Sequence, residues 1–423
     1  MVNRRQVAGL LGGGLSLLAT RALAQQAETT ASITTIAPQT AMGGKLATRT
    51  EVLEGRNEPA MLTLDSLRLH DGAIAMYEEI VAGGGWPQVP GGKYKPGSKG
   101  ARIATLRQRL VMEGYLPFDA LSVEEPETYD DDMVEAVRAF QVNHGIAPNG
   151  VVNERTRLDL NITAKSRLFA LRDNRPRIEA YLEGLGPRNI LVNLPAAQLE
   201  TVEFGQVFSR HNVVVGKLER PSPSLKSQVS DIVFNPYWNA PASIVEKDII
   251  PKFLKDPGYL DQMRIRVFDG VGGPEIDPFT VDWVNTHPER YHFRQEPGEH
   301  NALATVKINF PNTHMVYLHD TPHRENFASN ARFESSGCVR IDQVRTVINW
   351  IMQGRDGFDE GTFEMIAASE EPHTVKIENG PDIRLMYLTA WATDDGRINF
   401  RPDIYALDGM GFVLGQPEPS DAI

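Results

Sequence analysis

The sequence predicts a multi-domain α+β protein, in which a mixed β-sandwich-like domain with an inserted cap follows a small three-helix module. Three observations predict this architecture. The chain has 423 residues, enough for two or three domains. Apolar residues recur at helical spacing before residue 189, and short β-branched runs dominate after it. An irregular stretch rich in Pro, Gly and aromatic residues interrupts those runs.

Composition and charge exclude several classes of protein. The chain is 41% hydrophobic and 23% charged, as is typical of globular and not of disordered proteins. No apolar run reaches the roughly 18 residues that span a bilayer, so no integral membrane segment is expected after removal of the leader. The net charge is −12 without a basic run, and no nucleic-acid partner is expected. The single cysteine, Cys338, excludes an intrachain disulfide and a thiolate-rich zinc site.

The N-terminus has the features of an export signal over residues 1–24. Two adjacent arginines precede an apolar, Gly-rich stretch, and Ala-Leu-Ala at 22–24 is a small-x-small cleavage site. The arginines leave both the general (Sec) and the twin-arginine export routes open, and an ordinary N-terminal helix is the alternative. We therefore expect a periplasmic protein, whose residues 25–60 form a flexible arm.

The chain is predicted to be mainly helical up to residue 188. A helical scaffold segment and linker cover 61–100, with a helix over 62–82 that ends at three glycines and with Trp86 as a packing anchor. Residues 101–164 show three short helices, the last two joined by a Pro-Asn-Gly-Val-Val turn, and a generic three-helix bundle would give the same pattern. A connecting helix is expected within 165–188.

Residues 189–423 are predicted to form the β-rich domain. Apolar strand-like runs lie at 190–195, 213–216, 232–234, 305–308, 315–318 and 385–391. Between the third and fourth runs, residues 236–301 predict a loop-built cap that includes a helical patch. A helix is expected over 344–352.

The residues that carry chemistry lie in one short segment of this domain. Cys338 follows Gly337 in a Ser-Ser-Gly turn, where backbone N–H groups can converge on an oxyanion. His319 ends a predicted strand upstream, and Arg340 can bind a carboxylate in bidentate fashion. A cysteine nucleophile needs a base, an orienting group and oxyanion donors, and the segment offers candidates for each.

A zinc site is the metal alternative for the same segment. His314, His319 and His323 have spacings that bind zinc when they share one helix face. Pro322 stands within the second pair and the preceding run alternates like a strand, which disfavours that helix. We therefore expect no metal and no cofactor.

The segment from His319 to Arg340 resembles the L,D-transpeptidase (YkuD-type) catalytic domain, whose signature is a His followed by Ser-(His/Ser)-Gly-Cys-Val-Arg. It is similar in particular to a large periplasmic subgroup that has a peptidoglycan-binding module and a substrate-capping insertion. Residues 101–164 resemble that module, although such modules do not always bind glycan. Further matching stretches are 84–87, 191–195, 215–217, 234–239, 295–298 and 301–303. Ser336 stands where many members have His.

The resemblance implies acyl transfer between peptidoglycan stem peptides. Cys338 would attack the carbonyl of the third residue of a donor tetrapeptide, expelling the terminal D-alanine and leaving a thioester. His319 would act as the base, and a diamino-acid side-chain amine on an acceptor stem would complete a 3→3 cross-link. Carbapenem sensitivity follows from the same chemistry.

The resemblance also implies roles for neighbouring groups. The carbonyl of Ser335 would orient the imidazole, and the N–H groups of Gly337 and Cys338 would line the oxyanion hole. Substrate contacts would come from Arg340, Tyr317, Ser336 and Trp238, and glycan contact from residues 101–164.

Several alternatives remain open at the level of sequence. The same centre would also serve a peptidoglycan hydrolase or a protein-attachment enzyme, and a non-catalytic wall-binding scaffold is the rival from another class. The structural alternatives to substrate contact are packing in a strand for Tyr317, a surface ion pair for Arg340 and the core of the cap for Trp238. Asp320 is expected to act in a turn and not as a catalytic carboxylate.

Overall fold

The structure, a computed structural model, describes residues 51–52, 59–92, 94–329, 331–355 and 360–411. The predicted export signal and most of the predicted arm lie outside these residues. The described chain forms two units, one of Asp65–Ile178 with Thr389–Pro402 and one built mainly of Glu179–Leu388. None of the helices described is both long enough and apolar enough to cross a bilayer.

The first unit is helical. Its helices are α1 (Ser66–Ala82), α2 (Ala101–Met112), α3 (Asp131–Asn143), α4 (Glu154–Leu160) and α5 (Ala164–Leu182), whose last residues belong to the second unit, with a single turn at Phe118–Ser122. Asp130 and Asn153 accept hydrogen bonds from the first-turn N–H groups of α3 and α4 at 3.0 Å, which explains where both helices begin. A short hairpin, Ala390–Ala392 with Ile398–Phe400, completes this unit.

Two sequence expectations change here. Helix α1 begins at Ser66 and not at 62, because residues 64–65 form a turn and the chain before it is held elsewhere, with the Ala60 N–H donating to the Gly205 carbonyl at 3.2 Å. The expected strand-like segment 385–391 is split between a strand of the second unit and the hairpin of the first. A continuous apolar run in the sequence does not show where the chain leaves one unit and enters the other.

A buried ion pair lies at the centre of the first unit. Arg109 and Glu113 are one helical turn apart on α2, with 2.7 Å between Nη1 and Oε2, and both are buried. The Tyr77 hydroxyl also donates to Glu113, and the Arg109 guanidinium lies 3.6 Å from the ring centre of Trp86. Trp86 is itself buried and donates to the carbonyl of Ile162, so its prediction as a packing anchor is confirmed.

The second unit is built on a curled sheet of parallel and antiparallel strands, which confirms the predicted mixed β-domain. Its strands are β1 (Glu51–Val52), β2 (Arg188–Asn193), β3 (Gln198–Glu203), β4 (Gln206–Gly216), β5 (Leu225–Gln228), β6 (Asp231–Phe234), β7 (Trp238–Asn239), β8 (Ile265–Phe268), β9 (His292–Gln295), β10 (Val306–Asn309), β11 (Leu318–His319), β12 (Phe333–Ser335), β13 (Val339–Ile341), β14 (His373–Lys376) and β15 (Asp382–Met386). The main sheet has the order β14-β6-β10-β11-β13-β4-β3-β2-β15-β5, and β1 and β12 also pair with β4. One apolar core joins both halves of this sheet.

The cap is inserted between β6 and β10, two antiparallel neighbours. It contains α6 (Ala242–Ile244), a π-helical turn (Val245–Ile249), α7 (Ile250–Lys255), α8 (Tyr259–Gln262), single turns at Pro278–Thr280 and Pro288–Arg290, and the sheet β7-β9-β8. The expectation of a loop-built cap is therefore wrong, since the cap has its own sheet and its own apolar core. Strands of two to four residues are too short to show alternation in the sequence.

One buried amide side chain joins the two ends of the cap, and a second one acts within it. Asn301 donates to the carbonyls of Pro236 and Glu296 at 2.9 and 3.0 Å. Gln295 donates to the carbonyl of Met263 at 2.9 Å. These bonds satisfy carbonyls that no strand pairs with, and they give a structural reason for the amides in the stretches that resemble the family.

Helices α9 (Val344–Met352) and α10 (Glu360–Ala368) follow the reactive segment, with a single turn at Arg324–Ala328 before it. The helix predicted over 344–352 is confirmed. The strand predicted over 315–318 is reduced to Leu318–His319, because Met315 has φ of 56° and the Asn312 amide satisfies both backbone groups of Val316.

We expect Glu113→Ala to destabilise the protein by about 3–5 kcal/mol, because it leaves the buried Arg109 guanidinium without its counter-charge. The measurement is the shift in the urea unfolding midpoint. Glu135→Ala is the matched control, since Glu135 forms an exposed pair with Arg138 in the same module and its loss should change little. Equal shifts for the two variants would contradict this role of the buried pair.

Candidate active site

The candidate site lies in a row of side chains across three neighbouring strands. Strand β11 pairs in parallel with β13 and antiparallel with β10, so that His319 lies opposite Arg340 on one side and Lys307 on the other. In the adjacent register position, Leu318 and Val339 are buried in the apolar core. Because side chains alternate across a strand, the three basic residues share the opposite face.

The same alternation brings the thiol to this face. Cys338 and Tyr317 each precede one of the core residues, and the Val339 N–H donates to the Tyr317 carbonyl at 3.1 Å. The Tyr317 hydroxyl lies within hydrogen-bonding reach of the Cys338 sulfur, and the Tyr317 and His319 rings meet edge to face at 5.6 Å. The structure therefore brings together four of the residues that the sequence singled out.

A network of hydroxyl groups fixes the turn that presents Cys338. The Ser335 hydroxyl donates to the Cys338 carbonyl at 2.6 Å and accepts from the Gly337 N–H at 3.1 Å. The Ser222 hydroxyl donates to the Gly337 carbonyl at 2.7 Å. Gly337 has φ of 111°, a conformation that side chains other than glycine's rarely allow. The turn is thus held from both sides before any substrate is present.

These bonds change the predicted oxyanion donors. The Gly337 N–H is already donated to Ser335, so its predicted place in an oxyanion hole does not fit this bond. In the described part of the chain, the Cys338 N–H donates to no acceptor. It is therefore a backbone donor that this turn leaves available.

His319 is oriented by its own neighbour in the chain. The imidazole is buried, and its Nδ1 lies 2.5 Å from the backbone carbonyl of Asp320. The prediction that the Ser335 carbonyl orients the ring is therefore wrong, and that carbonyl accepts instead from the Lys217 N–H at 3.0 Å. A bond from Nδ1–H to a carbonyl fixes the tautomer and leaves Nε2 as the basic nitrogen.

The Asp320 carboxylate fixes the turn that follows the imidazole. It is buried, accepts from the Thr305 hydroxyl at 2.6 Å and accepts from the Thr321 N–H at 2.8 Å. These bonds agree with the predicted turn role. Asp320 thus acts on His319 only through the position of its backbone carbonyl.

Electrostatics keep the thiol and the imidazole neutral at rest. Burial lowers the pKa of His319 to about 3, with Arg340 and Lys307 lowering it further. Burial also raises the pKa of the Cys338 thiol, although Tyr317, Lys307 and Arg340 act in the opposite direction. Near pH 7 neither group is charged, so the site holds no preformed thiolate–imidazolium pair.

Lys307 is the site residue that sequence reasoning missed. Its ammonium lies 4.1 Å from the centre of the Tyr317 ring, and its charge acts on Cys338. The signal was present in the sequence, because Val306 and Ile308 flank it and both face the core. Once β10 and β11 are known to be neighbours, alternation puts Lys307 beside the imidazole.

Ser336 connects the reactive turn to the cap. Its exposed hydroxyl accepts from Arg220 Nη1 at 2.9 Å, and the same nitrogen forms an ion pair with Asp248 of the cap at 2.6 Å. A second connection comes from Trp238 of β7, whose indole lies within hydrogen-bonding reach of the Tyr317 hydroxyl. Trp238 also packs against the core of the cap, as the cap-core alternative predicts.

The described residues show the surroundings of Arg340 and of the histidines weighed for a zinc site. Within them, Arg340 has no carboxylate within 4 Å, although Glu334 acts on it at longer range. The same residues include no group of three His, Cys, Asp or Glu side chains placed to hold a metal ion. His323 lies instead 3.2 Å from Glu325 in an exposed pair.

Comparison with known proteins finds a family match for each of two parts of the chain. Residues 187–391 match the model of the YkuD family, described as "L,D-transpeptidase catalytic domain", and residues 99–158 match a family described as "Putative peptidoglycan binding domain". A curated relative from Haemophilus influenzae, named "Putative L,D-transpeptidase", is 33% identical over 222 residues, which are 52% of this chain and 44% of the relative. The chain thus matches less than half the length of that relative.

Solved L,D-transpeptidase structures also match. The enzyme from Xylanimonas cellulosilytica has 17% identity and a TM-score of 0.21, covering 71% of this chain and 98% of that one. The enzyme from Stackebrandtia nassauensis has 12% identity and a TM-score of 0.24, covering 71% and 96%. The two family matches and the curated relative confirm the resemblance seen in the sequence: residues 187–391 of this chain match the L,D-transpeptidase catalytic domain of the YkuD family, and residues 99–158 before them match a putative peptidoglycan-binding domain.

Proposed function

We propose that this chain is an exported, periplasmic cysteine acyltransferase that forms 3→3 cross-links between peptidoglycan stem peptides. The observation that carries the proposal is the shared sheet face of Cys338, His319, Tyr317 and Arg340 beside a backbone N–H without an acceptor. The family match supports the class of reaction, and the peptidoglycan-binding domain supports the class of substrate.

The first half-reaction forms a thioester. The Cys338 sulfur attacks the carbonyl of the third residue of a tetrapeptide stem while its proton passes to Nε2 of His319. The Cys338 N–H stabilises the oxyanion, and the proton then passes from the imidazole to the departing amine of D-alanine. Because both groups are neutral at rest, the proton moves as the carbon–sulfur bond forms.

The second half-reaction transfers the acyl group. The side-chain amine of a diamino acid on a second stem attacks the thioester and loses a proton to His319. The thiolate leaves and is reprotonated, so the enzyme returns to its starting state. Arg340 binds a carboxylate of the donor stem, while Trp238 and Tyr317 border the donor at the cap and Ser336 borders it at the turn.

The proposed reaction is tested with disaccharide-tetrapeptide as the substrate. We expect the wild type to release D-alanine and to form a dimer whose mass is that of two monomers minus one D-alanine. Cys338→Ala should reduce both to the uncatalysed level, and His319→Ala should slow them about 100- to 10,000-fold. His323→Ala, an exposed histidine from the same segment, is the matched control and should behave as the wild type.

The products distinguish the proposal from its rivals. D-alanine or tripeptide released without any dimer would replace the cross-linking role with a hydrolytic one. A wild type that releases nothing while it still binds isolated sacculi would favour the wall-binding scaffold. Binding to sacculi that survives in residues 99–162 alone would place glycan contact in the helical module.

The pH dependence of thiol alkylation tests the neutral resting state. Iodoacetamide reacts with the thiolate, so its rate at Cys338 should rise continuously with pH and reach its midpoint above the ordinary thiol value of about 8.5. The imidazole should add no step near pH 6.5, because its pKa is lowered to about 3. A plateau of high reactivity between pH 5 and 7 would show a preformed ion pair and contradict this account. Cys338→Ser gives the background rate.

A further inference from the structure

Two cations flank the imidazole, and the proposed reaction uses only one of them. Lys307 and Arg340 lie on opposite sides of His319 in the same cross-strand row. Adjacent strands are about 4.8 Å apart, so the two backbones lie roughly 10 Å apart. Within the described residues, neither side chain has a carboxylate within 4 Å.

We propose that Lys307 is a second carboxylate-binding residue, which holds the C-terminal carboxylate of the leaving D-alanine of the donor stem. This inference rests on the proposed acyl-transfer function and deepens it. It assigns the two ends of the donor to two separate cations, Arg340 on the retained acyl portion and Lys307 on the leaving residue.

The surroundings of Lys307 suit an anion. The side chain is half-buried and its ammonium is fixed over the Tyr317 ring at 4.1 Å, so little conformational freedom remains to be lost on binding. The acidic residue that acts on it, Asp231, already accepts from Asn309 at 2.6 Å and lies 3.6 Å from Lys376. A partly desolvated cation without its own counter-ion gains most from an incoming carboxylate.

The order of the strands assigns the leaving group to this cation. Cys338 and Arg340 share one strand end, so the acyl portion that stays on sulfur lies on that side. The amine that departs must reach His319 on the next strand to receive its proton. The carboxylate of D-alanine is joined to the same α-carbon as that amine. Beyond His319 the next strand is β10, which carries Lys307.

An electrostatic role toward the thiol is the competing account of Lys307. Its charge also lowers the pKa of Cys338, and a residue that acted only in this way would not sense the C-terminus of the donor. Replacing the C-terminal carboxylate of the donor by a carboxamide therefore separates the two roles. The amide keeps the shape of the donor and removes the charge.

The test compares acid and amide donors by calorimetry in a Cys338→Ala background, which binds without turnover. We expect the tetrapeptide acid to bind about 10- to 100-fold more tightly than the amide, as for a charge-assisted hydrogen bond. Adding Lys307→Met should remove this difference by weakening only the acid, and Lys307→Arg should restore part of it. Lys226→Met, a lysine of β5 at the opposite edge of the same sheet, is the matched control and should preserve the full difference.

Two results would overturn the inference. One is an acid preference that survives Lys307→Met, and the other is an equal loss of affinity for acid and amide. Because binding is measured without turnover, a wild type that fails to release D-alanine would refute the proposed function and not this assignment. An acid preference that disappears with Arg340→Met but not with Lys307→Met would transfer the leaving carboxylate to Arg340.

Discussion

The pairing register of β11 with its two neighbours is the constraint on which the site depends. Leu318 opposite Val339 puts both side chains in the core, and the period of two then forces His319 and Arg340 to the opposite face. A slip of one residue in β13 would bury the thiol and expose the core residues. The reactive face is thus a consequence of apolar burial, and the hydroxyl bonds of Ser335 only refine the position of Cys338.

The centre is cationic, although the chain carries a net charge of −12. Lys307 and Arg340 lie beside a neutral thiol and a neutral imidazole, so the proposed function requires an anionic stem peptide to be bound by local charges and not by the overall field of the protein. The cap borders this cationic face through Trp238 and through Asp248, which pairs with Arg220. The Ser336 hydroxyl also accepts from Arg220, so it has a structural partner at this border.

The features that depend on the local pattern of apolar and polar residues could be predicted from the sequence. The signature from His319 to Arg340, the helices and the β-rich half were all predictable, because burial imposes periods of two and 3.6. Contacts between distant segments could not be predicted. The place of Lys307 beside the imidazole depends on the strand order, and the bond from His319 to the Asp320 carbonyl depends on the backbone path after His319. The hairpin at 390–400 belongs to the helical unit, and its composition does not predict this assignment.

The proposed function requires Cys338 to be an accessible nucleophile that accepts acyl groups. Intact mass of the mature protein after exposure to a carbapenem tests it most directly, because the strained lactam is an acyl donor trapped as a thioester. We expect one stoichiometric adduct on the wild type and none on Cys338→Ala. Fully reduced wild-type protein that stays unmodified would contradict it, and the site would then be better explained as part of a wall-binding scaffold.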